Sequence, residues 1–217
     1  MSELDTLRES VDIARWMQVP EIRVAFETPR IVVIPRFAPA AICDWLIDAA
    51  RPRLAQSKVY DPASGSGQRR DDIRNNRAAS FSIADFDVIL VVLRTRISAL
   101  AGVRVDDFEP PMVLHYAAGQ RFAPHFDFIE PSEPGLAADI ARNGQRVATF
   151  LLYLNDDYEA GETEFPALGW KHKGKKGDAL LFWSADAAGA LDRRTLHAGS
   201  AVARGEKWVL SQWIRRR

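Results

Sequence analysis

Cysteine is nearly absent from this sequence: Cys43 is the single one in 217 residues. No intramolecular disulfide can form, so a packed core has to hold the fold. No signal-peptide pattern opens the chain either, and the two absences together lead to the expectation of a reducing cytoplasm. Cys43 lies in the apolar helical pattern AAICDWLIDAA and reads as a small buried hydrophobe rather than a nucleophile. Long apolar runs are missing as well. None approaches the roughly 18 residues that a membrane span needs, so no membrane partner is expected. Charge of one sign is not in excess: 29 basic residues balance 29 acidic ones. That removes the general electrostatic case for a nucleic-acid partner. The closing Arg215-Arg216-Arg217 is a local basic patch and reads as a solvated tail. Internal repeats and low-complexity tracts are absent too.

What is present is the composition of an ordinary globular chain, 47% hydrophobic and 27% charged. The length suits one domain, 1–217, with one sizeable core. Residues 2–18 read as a charged amphipathic helix ended by Pro20, and IVVIP (31–35) as a strand. Residues 39–51 read as a helix between Pro39 and Pro52. The segment DPASGSGQRRDD (61–72) reads as a mobile loop, and NRAASFSI as a strand. Apolar spacing over Ala84–Ala101, followed by Gly102, predicts a further helix. After about residue 110 short β-like runs recur between turns: MVLHYA, RFAPHFDF, RVATFLLYLN, DALLFW, TLHAGSAV, KWVLSQWI. Such spacing suggests an antiparallel sandwich or barrel. The division expected is 1–105 as helical and strand support and 106–217 as the β core, an α+β chain.

The chemistry starts at PHFDF. If RFAPHFDF is a strand, His125 and Asp127 project side by side and Phe126 points the other way. Alone, H-x-D is a weak signal. A distant histidine would complete a two-histidine, one-carboxylate facial set, the arrangement non-haem Fe(II) oxygenases use to keep coordination positions open. His197 is the candidate. LHAGSAVARGEKWVLSQW reads as strand, turn at Arg204-Gly205, strand. With a bulged loop, His197 faces Trp213, and Lys207 lies on the same side farther along. A lysine facing such an interior needs an anionic partner, which a dicarboxylate would supply. Thr149 and Tyr153 share one face of RVATFLLYLN, and with Tyr116 they offer hydroxyls suited to a carboxylate. His115 reads as packing on the opposite strand face, and His172, in WKHKGKKGD, as solvated.

In that order, HYAAGQRFAPHFD, RVATFLLYLNDDYEAGETEFP, GDALLFW and DRRTLHAGSAVARGEKWVLSQWI closely resemble the catalytic domain of prolyl 4-hydroxylases, members of the Fe(II)/2-oxoglutarate-dependent dioxygenases. The resemblance covers about residues 110–215. It implies a double-stranded β-helix (jelly-roll, cupin-like) core, with His125, Asp127 and His197 as Fe(II) ligands. It implies that Lys207 pairs with the C5 carboxylate of 2-oxoglutarate. Thr149 matches a position that assists this lysine in some members and Tyr153 one that does so in others; Thr149 is favoured and the choice stays open. Tyr116 matches the tyrosine near the carboxylate-keto end, and Trp213 an aromatic bordering the iron pocket. Ala160 departs from the usual second glycine of the block AGETEFP, a change that matters only if the position needs positive φ.

The activity implied is hydroxylation of a C–H bond of a prolyl residue in a peptide or protein, with Fe(II), 2-oxoglutarate and O2; dependence on ascorbate as a further cofactor is left open. Asp127 favours hydroxylation over halogenation. A free amino acid or other small molecule is the alternative substrate, and a non-catalytic metal-binding β-sandwich the distant alternative. A nucleic-acid demethylase would carry an arginine pair beyond the last histidine, where this chain has Lys207. The segments Asp61–Asn75 and Ile129–Gly144 are candidate lids. Oligomeric state is left open, a homodimer included.

Overall fold

The structure is a computed structural model, and it describes residues 11–61, 66–68, 73–131 and 134–216. The chain begins, within the described part, with a single helical turn, α1 (Ile13–Trp16), and a hairpin of β1 (Arg23–Phe26) and β2 (Ile31–Ile34). Helix α2 (Ala40–Ala50) follows, then β3 (Ala55–Gln56), β4 (Val59–Asp61), β5 (Ser66–Gln68) and β6 (Arg77–Ser80). Helix α3 (Val88–Ala101) closes the first half. The second half runs β7 (Met112–Tyr116), β8 (Phe122–His125), α4 (Pro134–Asn143) and β9 (Gln145–Tyr153), then β10 (Glu159–Ala160), β11 (Thr163–Phe165) and β12 (Trp170–His172). It ends with β13 (Ala179–Trp183), β14 (His197–Gly199), β15 (Val202–Arg204) and β16 (Lys207–Arg216).

Two sheets matter. The larger has eight strands in the order β1-β2-β13-β9-β16-β7-β6-β3, and the smaller four in the order β12-β11-β14-β8. Alternation along the large sheet sorts its side chains onto two faces. Phe150, Leu152, Val113, Leu181 and Leu210 pack outward onto Ile42, Cys43 and Leu46 of α2 and Leu90, Leu93 and Ile97 of α3. Leu151, Tyr153, Leu180, Phe182 and Val209 face inward and meet Phe165 of the small sheet. Each such side chain taken fully from water contributes about 1.5–3 kcal/mol, so both layers have a driving force. This is the expected α+β double-stranded β-helix with packing helices.

Helix α3 starts at Val88 rather than Ala84, because the Asp87 carboxylate caps the amides of Ile89 and Leu90. Residues 83–85 form a separate 3-10 turn. Gly102, at φ 67°, ends α3 with its amide on the Ser98 carbonyl, as expected. Other expectations need correction. Residues 2–10 of the helix expected over 2–18 lie outside the described residues, and the helical part of the rest is one turn. The stretch 61–72 is in part a hairpin, β4 against β5, the rest of it lying outside the described residues. The stretch 129–144 contains α4, anchored by Asp139 to Arg215 at 2.9 Å. Finally, β14 and β16 do not pair. Strand β14 lies between β8 and β11 in the small sheet, whereas β16 lies between β7 and β9 in the large one. No helix among the described residues is long and apolar enough to cross a membrane.

Candidate metal centre

Strands β8 and β14 are antiparallel neighbours, and His125 stands directly opposite His197. Cross-strand partners bring their side chains together, and the two imidazole centroids lie 4.3 Å apart. Strand β8 ends at His125, so Asp127 does not reach the site by strand alternation. It follows in a bend that turns its carboxylate back. His125 Nε2 is 3.7 Å from Asp127 Oδ1, and His197 Nε2 is 3.4 Å from Asp127 Oδ2. One donor atom from each residue falls within 4.8 Å of the other two.

The imidazoles are oriented in the same way. His125 Nδ1 lies 2.9 Å from the Ala123 carbonyl, and His197 Nδ1 lies 3.1 Å from the Thr195 carbonyl. A carbonyl only accepts, so each Nδ1 carries the proton and each Nε2 lone pair is left facing the cluster. Phe122 stacks on His125 at 3.5 Å, and Phe182 meets His197 edge-on at 4.8 Å. Burial, with His197 beside it, pushes the His125 imidazole down to about 3, which keeps it neutral. Burial alone would raise the Asp127 carboxyl, but the two histidines and a hydrogen bond from Thr149 outweigh it, and it sits below its ordinary range. Two imidazoles and one carboxylate are the donor set of a divalent first-row metal. Ligand atoms about 2.1 Å from one ion at right angles would lie about 3.0 Å apart. The observed spacings are close to this, so the residues fit such an ion.

The same cavity has a second polar end. Lys207 faces inward from the start of β16, opposite Tyr116 of β7, and is 3% exposed. Its ammonium donates to the Gly161 carbonyl at 2.7 Å. Burial lowers its pKa to about 8, against the pull of Glu162. Tyr116 and Tyr153 lie near it, with ring centroids 5.4 and 5.9 Å from Nζ. Burial raises the Tyr116 hydroxyl to about 12 and raises that of Tyr153 as well, so both stay protonated. The Tyr153 hydroxyl is 2.9 Å from that of Thr163.

Thr149, favoured as the partner of Lys207, stands elsewhere. Tyr153 pairs with Val209, two residues from Lys207, while Thr149 pairs with Trp213, six residues from it. At about 3.3 Å per residue that is about 20 Å. Thr149 donates instead to Asp127 Oδ2 at 2.6 Å. Thr163 was not singled out in the sequence, although the GET block that contains it was. It lines the cavity with His125, Asp127, His197, Lys207 and Trp213. Arg74 lines it too, over the Phe122 ring at 4.5 Å. One terminal guanidinium nitrogen of Arg74 is buried and has no hydrogen-bond partner among the described residues. No sequence signal marks Arg74, because its place depends on a bridge to Phe122 far along the chain. Trp213 is held on its outer side by the Arg146 guanidinium, 3.8 Å from the ring centroid, and Arg146 is fixed by Glu109 at 2.6 Å.

The hairpin expected to carry His197, Lys207 and Trp213 is therefore replaced by two facing sheets, which bring the same three side chains to one cavity. His115 packs outside it, on Trp208, as expected. His172 is not solvated. It is half-buried between Trp170 and Tyr153, and burial lowers its pKa.

The family profile described as the 2OG-Fe(II) oxygenase superfamily matches residues 111–215. Prolyl 4-hydroxylase 1 of Arabidopsis thaliana is 33% identical over 230 residues, spanning 95% of this chain and 79% of that protein. The viral collagen prolyl hydroxylase of Paramecium Bursaria Chlorella virus-1, solved as its 2OG complex, is 30% identical and superposes with a TM-score of 0.65, over 86% of this chain and 96% of that one. A Pseudomonas putida prolyl-4-hydroxylase shares the fold, with a TM-score of 0.57 at 20% identity, over 86% of this chain and 92% of that one.

Proposed function

The chain belongs to the prolyl 4-hydroxylase family of the 2OG-Fe(II) oxygenase superfamily, and on that premise we propose that it hydroxylates a prolyl residue of a peptide or protein. Fe(II) and 2-oxoglutarate are the cofactors of this oxygenase family. His125, Asp127 and His197 hold the iron in this reading. The bound metal supplies the centre at which O2 is reduced: one oxygen atom enters succinate as 2-oxoglutarate loses CO2, and the other enters the substrate C–H bond.

The chain's own residues orient the reactants. Lys207 pairs its ammonium with the distal carboxylate of 2-oxoglutarate, and the hydroxyls of Tyr116, Tyr153 and Thr163 complete that end. The Nε2 lone pairs stay available because both Nδ1 protons are committed to carbonyls. Trp213 forms the wall beside the metal end. Phe122 and Trp213 suit a pyrrolidine ring, and the unpartnered nitrogen of Arg74 suits a peptide carbonyl. The observation that carries the reading is the two-ended cavity, with two imidazoles and a carboxylate at one end and, at the other, a buried ammonium whose hydrogen-bond partner among the described residues is a neutral carbonyl.

The test is succinate formation with Fe(II), 2-oxoglutarate and a library of proline-containing peptides, with a product mass gain of one oxygen atom. His125→Ala and Asp127→Ala should lose turnover by about 100-fold or more. Oxygen insertion into free amino acids but no peptide would overturn the peptide reading. Full activity of both variants would overturn the metal assignment.

A further inference from the structure

Asp127 offers two oxygens, and the two are not equivalent. Oδ2 accepts the Thr149 hydroxyl at 2.6 Å and lies 3.4 Å from His197 Nε2, while Oδ1 faces His125 Nε2 at 3.7 Å. Thr149 is 1% exposed, so no water competes for its proton. It sits in the middle of the large sheet, paired with Phe182 on one side and Trp213 on the other. Its hydroxyl therefore has little freedom to leave. Asp127, by contrast, follows the end of β8 and has no ladder of its own. A carboxylate on a bend can rotate to chelate a metal through both oxygens, which would consume a coordination position. A donor fixed in the opposing sheet prevents that rotation.

We propose that Thr149 is a positioning residue whose hydroxyl, by holding Asp127 Oδ2, keeps the carboxylate a one-oxygen metal ligand and so leaves the third protein-free position open. This rests on the reading that His125, Asp127 and His197 hold the metal. The chemistry needs three open positions on a six-coordinate ion, two for 2-oxoglutarate and one for O2. A chelating aspartate would leave two. Supporting groups of this kind typically change metal affinity or activity by about 10–100-fold when removed.

The experiment uses the full chain loaded with Co(II) as a spectroscopic stand-in, and compares Thr149→Val, Thr149→Ser and Asp127→Ala. Thr149→Val keeps the volume and loses the hydroxyl, and Thr149→Ser keeps the hydroxyl. The expected result has three parts for Thr149→Val: a Co(II) visible spectrum altered from that of the parent, a metal affinity changed by about tenfold, and a raised KM for 2-oxoglutarate. Thr149→Ser should restore the spectrum and the affinity. Should Thr149→Val fail to fold, Thr149→Ala carries the same comparison. A Thr149→Val spectrum and affinity equal to the parent's, with Asp127→Ala losing the metal, overturns the role of Thr149 and leaves the metal site standing. Unchanged Co(II) binding in Asp127→Ala overturns the metal reading itself.

Discussion

The Lys207 ammonium donates a 2.7 Å hydrogen bond to the carbonyl of Gly161 while only 3% exposed to solvent. A neutral acceptor does not compensate a buried charge, so without an anionic partner this is an unfavourable place for the side chain. Lys207→Met should therefore raise the thermal stability of the 2-oxoglutarate-free protein, by about 1 kcal/mol. The same change should weaken 2-oxoglutarate binding by about 100-fold, in line with losing one partner of a buried charged pair. Thermal unfolding and calorimetric titration read the two effects. A variant that is less stable and binds 2-oxoglutarate as the parent does would contradict the assignment.

The lowered pKa of Lys207 also predicts a pH dependence. Its value of about 8 in the folded chain lies below the ordinary 10.5. Between those values the unfolded chain holds a proton that the folded chain lacks, so this group adds stability as pH rises through the window. Binding runs the other way, because the dicarboxylate needs the ammonium. Affinity for 2-oxoglutarate should fall as pH climbs above about 8, and binding there should take up a proton. Titration calorimetry in buffers of differing ionisation enthalpy measures that uptake; its absence above that pH would count against the pairing.

Ala160 adopts φ 57°, the left-handed region in which a side chain is strained. The condition under which this alanine matters is thus met. It sits at the irregular step of the β10–β15 pair, immediately before Gly161, whose carbonyl receives Lys207. Replacing Ala160 by glycine should stabilise the protein by about 1 kcal/mol, since left-handed backbone costs a non-glycine residue about that much. The check is a denaturation midpoint. The metal cluster lies on other strands, so metal affinity should be unchanged.

Gly174 backs the Tyr153 ring so closely that a Cβ there would lie 2.1 Å from the ring. Neither side can yield cheaply, because Tyr153 is fully buried and bonded to Thr163. Gly174→Ala should destabilise the chain by about 1–3 kcal/mol, the usual range for overpacking a core. It should also raise the KM for 2-oxoglutarate more than it lowers kcat, because the displaced ring borders the Lys207 end. An unchanged KM would place Tyr153 outside that subsite.

Much of this was legible in the residues themselves. The apolar β-like runs RVATFLLYLN and KWVLSQWI mark strands, which the structure buries on both faces, because the side-chain period of two is local to each strand. The pair His125 and Asp127, the lone His197 and the inward Lys207 are conspicuous as residue types, and Gly102 ends its helix by backbone conformation alone. What the sequence left undecided is which strands pair. Pairing sums over contacts from distant parts of the chain, and a local pattern does not weigh one partner against another. So His197 and Trp213, adjacent enough in sequence to suggest a hairpin, belong to opposite sheets and meet across the cavity. Register along β16 likewise decided that Thr149 donates to Asp127 while Tyr153, bonded to Thr163, lies near Lys207. The sequence by itself determined the chemical parts and the faces they lie on. Tertiary packing of one sheet over the other decided which of those parts touch.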